Sequence, residues 1–159
     1  MILGSGGVGR AVILTLVEHG VERLLVANRT LERAKLIVNE LDSNTNVGVC
    51  SLGSQPILDA SASVLWDLIV NCTTLGMRYT DSETLSPISA DNISSGTLVY
   101  DLVYNPPVTS LLKLAVANGA DTLGGLGMLI YQGAEAFRLW TQKTPDISIM
   151  FQSAREAIY

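Results

Sequence analysis

Gly4-Ser5-Gly6-Gly7-Val8-Gly9 satisfies the spacing G-x-G-x-x-G, after a short apolar stretch and before a helical pattern. That spacing has a chemical logic. A tight strand-to-helix turn needs glycine dihedrals, a second glycine lets the backbone approach a pyrophosphate, and a third lets helix and strand pack closely. The helix amino terminus then offers N–H groups and the positive end of its dipole to the anion. An NAD-binding unit places a carboxylate about 20 residues further on, for the ribose 2′-hydroxyl. Here that place reads Ala27-Asn28-Arg29-Thr30, with Arg33 one turn later. A guanidinium, planar and always charged, suits a 2′-phosphate instead. Asn28 and the Thr30 hydroxyl add neutral hydrogen bonds. The pattern predicts NADP(H) rather than NAD. The competing reading is a loop without ligand, with Arg29 and Arg33 as surface cations pairing with Glu32 or Glu40.

These groups need elements that bring them to one edge. Apolar runs alternate with helical periodicity along the chain, the pattern of βαβ units on a parallel sheet. Strands are expected at Met1–Leu3, Leu24–Ala27, Val47–Cys50, Leu68–Asn71 and Thr97–Leu102, with Thr122–Leu123 as an edge strand. Helices are expected over Gly7–His19, from a Thr30 cap through Leu41, over Thr109–Asn118, over Leu126–Thr141 and over Ile147–Ile158. Gly20 and Gly119 are helix stops. Asp42 to Asn46 is turn material, residues 54–64 are ambiguous with a short helix after Pro56 as one reading, and Arg78 to Ser95 is a long polar connection around one short element at most. The predicted class is α/β: a Rossmann-like, doubly wound, mainly parallel sheet with helices on both faces, plus C-terminal helices.

A chain of 159 residues, 48% hydrophobic and 16% charged, can bury the core of one domain and is not a disordered polymer. Its formal charge of -5 and few aromatics argue against nucleic acid as a partner. Cys50 and Cys72 are too few for a disulfide scaffold. No apolar run reaches the ~18–20 residues that cross a bilayer, so no membrane partner is expected. Met1 to Leu3 carry no charged leader, so the expectation is a cytoplasmic protein. No metal-ligand cluster stands out.

Taken in order, five segments make the chain resemble the shikimate dehydrogenase family. They are Gly4 to Arg10; Asn28-Arg29-Thr30 with Arg33-Ala34; Asp67 to Thr73 with Gly76-Met77; Val99 to Pro106; and Gly124 to Phe137. The glycine turn is generic, and the last two segments are distinctive. Members of the family reduce 3-dehydroshikimate to shikimate with NADPH, on the chorismate route to aromatic amino acids. The resemblance implies that Gly4, Ser5, Gly6, Gly7, Val8 and Gly9 hold the pyrophosphate, and that Asn28, Arg29, Thr30 and Arg33 hold the 2′-phosphate. Cys72, Thr73 and Thr74, ending the fourth strand, would line the nicotinamide half of the cleft, with Leu102 and Gly125 bordering the ring. Cys72 stands where the family usually has alanine. Tyr104 and Gln132 would face shikimate or 3-dehydroshikimate. Two plainer readings remain open: Tyr104 packing the proline turn at Asn105-Pro106-Pro107, and Gln132 on a polar helix side with Tyr131 and Glu135.

The family's substrate domain precedes this one and carries a lysine–aspartate pair that handles the proton. Ketone reduction needs such a donor, and residues 1–159 offer no catalytic candidate. His19 reads as a helix-end cation. Lys35, Lys113 and Lys143 lack a carboxylate signature. Asp101 reads equally well as a structural acceptor, and Cys72 has no histidine partner. The expectation is a cofactor-binding domain that turns over little by itself, with exposed apolar residues on the terminal helix that meet the substrate domain or a second copy. Alternatives are a quinate/shikimate relative or a non-catalytic NADP-binding module.

Overall fold

The computed structural model describes residues 1–41, 45–53 and 65–158. The reading of 54–64 lies outside them. Six strands, β1 (Ile2–Leu3), β2 (Arg23–Asn28), β3 (Asn46–Ser51), β4 (Leu68–Asn71), β5 (Leu98–Asp101) and β6 (Asp121–Gly124), form one sheet in the order β3-β2-β1-β4-β5-β6. Every pairing is parallel. This is the Rossmann-like order, whose reversal between β1 and β4 opens a crevice at the strand carboxyl ends.

Successive strand side chains point to opposite faces. Leu3, Leu25, Ala27, Ile69 and Val99 therefore form one core with Leu111, Leu112 and Ala115 of α3 (Ser110–Ala117). Ile2, Leu24, Val26 and Val70 form the other with Ile13 of α1 (Gly7–Glu18) and Ala34 and Ile37 of α2 (Leu31–Asn39). Helices on both faces explain why the interiors of the central strands are apolar.

The elements match the sequence-based expectation within a residue or two at each end. Gly20 and Gly119 take positive φ (76° and 73°) just past α1 and α3, as helix stops require. The weak strand around Val47–Cys50 extends to Asn46–Ser51, because it pairs with β2 over its whole length. Between Arg78 and Ser95 there is only a 3-10 turn at Ala90–Asn92. The helices α4 (Leu126–Thr141) and α5 (Ile147–Ile158) follow the sheet, in contact through Tyr131 and Phe151, whose ring centroids lie 5.9 Å apart and edge to face. None of the residues of α5 is buried. Among the described residues, no helix is long and apolar enough to cross a membrane.

Candidate cofactor cleft

The glycine turn leaves β1 under tight constraints. Gly4 has φ +97°, its N–H bonds the Ala27 carbonyl at 2.7 Å, and a Cβ there would lie 2.9 Å from Thr73 Cγ2. A Cβ at Gly9 would meet the Gly4 carbonyl oxygen at 2.1 Å. Gly6 and Gly7 are the reverse: nothing lies within 4 Å of a Cβ built on either, and both are exposed. The first turn of α1 starts at Gly7, with Gly6 as N-cap and no capping side chain. Its leading N–H groups thus have no intrahelical acceptor, and Gly6, Gly7 and Val8 are exposed, which fits a phosphate group.

Asn28 braces this loop. Its Oδ1 accepts from the Ser5 N–H at 3.0 Å, and its Nδ2 donates to the Thr30 carbonyl at 2.7 Å. The amide expected to meet a ligand therefore shapes the loop as well. Ser5 is buried, and its hydroxyl finds no partner among the described residues. Thr30 occupies the N-cap of α2, but its hydroxyl makes no capping bond. The expected Thr30 side-chain cap is thus absent.

Arg29 and Arg33 are exposed, and neither forms an ion pair among the described residues. The two carboxylates weighed as their partners are taken elsewhere: Glu32 pairs with Lys35 at 2.8 Å and Glu40 with Arg10. Lys35, expected to lack a carboxylate, has one in Glu32. Two guanidinium groups on the segment just after Asn28, whose side chain bonds the Ser5 N–H of the glycine turn, suit a phosphate monoester.

Beyond the reversal point, β4 stops at Asn71, so Cys72 follows the strand rather than ending it. Burial pushes the Cys72 thiol up to about 12, helped by the nearby Asp101 charge, and it stays protonated. The Thr73 hydroxyl donates to Asn71 Oδ1 at 2.7 Å and accepts from the Leu75 N–H at 3.1 Å. Thr74 is exposed beside it. One strand further out, Gly125 packs against Leu102: a Cβ on Gly125 would lie 2.1 Å from the Leu102 carbonyl oxygen. The Gly4, Gly9, Cys72 and Thr73 contacts place the turn and the β4 rim side by side, with the Leu102–Gly125 contact at the end of β5.

Tyr104 is half-buried beside a cavity of about 140 Å³ lined also by Met77, Arg78 and Asn105. Gln132 is exposed on α4 and is not part of that cavity's lining. The polar side expected there is divided: Tyr131 packs on Phe151, and Glu135 pairs with Arg138 at 2.8 Å. His19 caps the end of α1, its ring Nδ1 lying 2.8 Å from the Thr15 carbonyl oxygen, to which it can donate. No group of three or more His, Cys, Asp or Glu among the described residues is arranged to hold a metal.

Spacing along the chain does not mark Asn71, Asp101 and Thr109 as a unit, yet the fold joins them. Asn71 Nδ2 donates to Asp101 Oδ1 at 2.9 Å, and Thr109 Oγ1 donates to Asp101 Oδ2 at 2.6 Å. All three are at most 1% exposed. The one signal in the sequence is a polar residue closing each of two apolar strands.

A family model described as shikimate / quinate 5-dehydrogenase matches residues 1–103. A second, described as the shikimate 5′-dehydrogenase C-terminal domain, matches residues 125–155. The shikimate dehydrogenase (NADP(+)) of Methanococcus aeolicus is 41% identical over 150 residues, covering 94% of this chain and 52% of that protein. A crystal structure of a shikimate dehydrogenase in complex with NADP+ superposes with a TM-score of 0.81 at 35% identity, covering 99% of this chain and 54% of that one. The shikimate 5-dehydrogenase of Thermus thermophilus, in complex with NADP(H) and shikimate, gives 0.76 at 38% identity, covering 98% and 54%. The chain spans about half the length of the relatives it matches. With matching models over both the cleft-forming strands and the terminal helices, the chain belongs to the shikimate / quinate 5-dehydrogenase family.

Proposed function

We propose that residues 1–159 form the NADP(H)-binding domain of a shikimate dehydrogenase, acting between NADPH and 3-dehydroshikimate in the chorismate route of the cytoplasm. The observation that carries this reading is the pair Arg29 and Arg33, both without ion pairs among the described residues, following Asn28, which bonds the open glycine turn. A doubly charged 2′-phosphate is the group such a pair selects. Complexes of two relatives with NADP support the same choice.

When bound, the dinucleotide supplies the hydride that reduces the ketone. The chain's own residues bind and orient. The α1 amino terminus and Gly4 to Gly9 hold the pyrophosphate, Asn28 to Arg33 the adenosine phosphate. Cys72, Thr73 and Thr74 line one side of the nicotinamide position, and Leu102 and Gly125 the other. Tyr104 and Gln132 face the substrate. A protonated Cys72 is a small neutral wall there and competes for no proton. The carbonyl proton then falls to the lysine–aspartate pair of the family's substrate domain; among the described residues here no lysine pairs with an aspartate. That domain would cover the apolar side of α4 and α5, where Leu139 and Trp140 are 62% and 84% exposed, unless a second copy does.

The test is titration calorimetry of NADP, NAD, shikimate and quinate into this chain alone and into the chain joined to a family substrate domain. NADP binding in both and hydride transfer only in the second are expected. Preference for NAD would overturn the cofactor assignment. Brisk oxidation of NADPH by 3-dehydroshikimate with this chain alone would overturn the division of labour. NADP binding without turnover in the joined protein would favour a non-catalytic module, and turnover of quinate over shikimate the quinate relative.

A further inference from the structure

We infer that Asn71 and Asp101, with the hydroxyls of Thr73 and Thr109, are positioning residues that set the nicotinamide half of the cleft separately from its adenosine half; the inference rests on the NADP reading above. Asn71 is fully buried at the end of β4, and Asp101 is fully buried beside it at the end of β5. Asn71 Oδ1 accepts from both the N–H and the hydroxyl of Thr73, at 3.0 and 2.7 Å. Asp101 Oδ1 accepts from Asn71 Nδ2 and from the Val103 N–H, at 2.9 and 3.0 Å. Its Oδ2 accepts from Thr109 Oγ1, which in turn accepts from the Leu112 N–H at the start of α3. The cluster thereby ties together the two loops that leave the neighbouring strands β4 and β5.

The reach of the cluster extends to the glycine turn, because Thr73 Cγ2 is the side-chain atom closest to a Cβ built on Gly4. A fixed Thr73 therefore sets how near the β4 rim stands to the phosphate turn. The adenosine half has its own brace, the Ser5–Asn28–Thr30 bonds, and shares none of these residues. A buried carboxylate and amide are a poor way to stabilise a sheet, since apolar side chains of similar size often serve as well or better. What they provide is directional bonding, in which each donor meets one acceptor and the loops take one arrangement. At a cleft where a ring must be held within fractions of an ångström, that is the useful property.

The two halves separate by ligand. Adenosine 2′,5′-bisphosphate reports the adenosine half alone, and NADPH reports both. Calorimetry on the full 159-residue chain compares the parent with Asp101→Asn, Thr109→Val and Thr109→Ser. In Asp101→Asn the NADPH dissociation constant is expected to rise about tenfold or more, while that of the bisphosphate stays within about twofold. Thr109→Val keeps the shape, removes the hydroxyl and shows the same split in smaller measure, and Thr109→Ser restores parental binding. Equal weakening of both ligands, no weakening of either, or loss of folding in both Asp101→Asn and Thr109→Val would overturn the inference and leave the cluster a stabilising element only. A parent chain that binds neither ligand would instead overturn the NADP reading itself.

Discussion

Gly9 and Gly4 face each other across the first turn so closely that a Cβ on Gly9 would sit 2.1 Å from the Gly4 carbonyl oxygen and 3.0 Å from its carbon. Both obstacles are backbone, which no rotamer change can move. Gly9→Ala therefore has to push α1 away from β1. Overpacking of this kind costs about 1–3 kcal/mol, or a Tm lower by about 2–4 °C per kcal/mol in a chain of this size. Gly6→Ala is the control. Gly6 has φ −72°, which any residue adopts, and open space around it. Its Tm is expected to hold, with a stability change within about 0.5 kcal/mol, while NADP binding weakens because the second glycine admits the pyrophosphate. Thermal unfolding and calorimetry on the two variants read the separation. A stable Gly9→Ala protein would show the contact to be soft.

Arg29 and Arg33 are divided from the nearest acids by geometry rather than by distance along the chain. Glu32 serves Lys35 and Glu40 serves Arg10, and among the described residues no acid pairs with either arginine. Arg29→Ala is expected to raise the NADP dissociation constant by about 10–100-fold, the loss of ~1.5–3 kcal/mol from charged hydrogen bonds. NAD, which lacks the phosphate, should bind parent and variant alike. Equal NADP affinity in both proteins would remove Arg29 from the site.

The carboxylate that would make Arg29 a structural cation is the kind of fact a sequence leaves open. Glu32 lies three residues from Arg29, and only the fold assigns it to Lys35 and Glu40 to Arg10. The strands were legible because Ile2-Leu3, Leu24 to Ala27 and Leu68 to Val70 are uniformly apolar, and a sheet buried on both faces demands that. The glycine turn was legible for a related reason, since the spacing of its glycines answers steric requirements. Asn28 was legible as a polar group at a strand end, but its brace to Ser5 and Thr30 depends on the loop folding back over it. Asn71, Asp101 and Thr109 meet only because β4 and β5 pair in parallel with Asn71 opposite Asp101. Local patterning carries no record of such a register.

Asp101 should leave a signature in the pH dependence of stability. Burial pushes its carboxyl above the usual carboxylate value of 3.8, against the opposing effect of hydrogen bonds from Thr109, Val103 and Asn71. The folded protein thus holds this proton more tightly than the unfolded chain does. Between 3.8 and the raised folded value, the native state binds more protons, so stability falls as pH rises. The contribution is fully present below the unfolded pKa and is lost as pH passes through the folded one. Asp101→Asn removes the titration. Urea unfolding of the parent and the variant over a pH series should show the parent losing stability relative to the variant across that window, then a constant difference above it. A difference that grows in the parent's favour with rising pH would mean that the three hydrogen bonds outweigh burial, and that Asp101 prefers its charge.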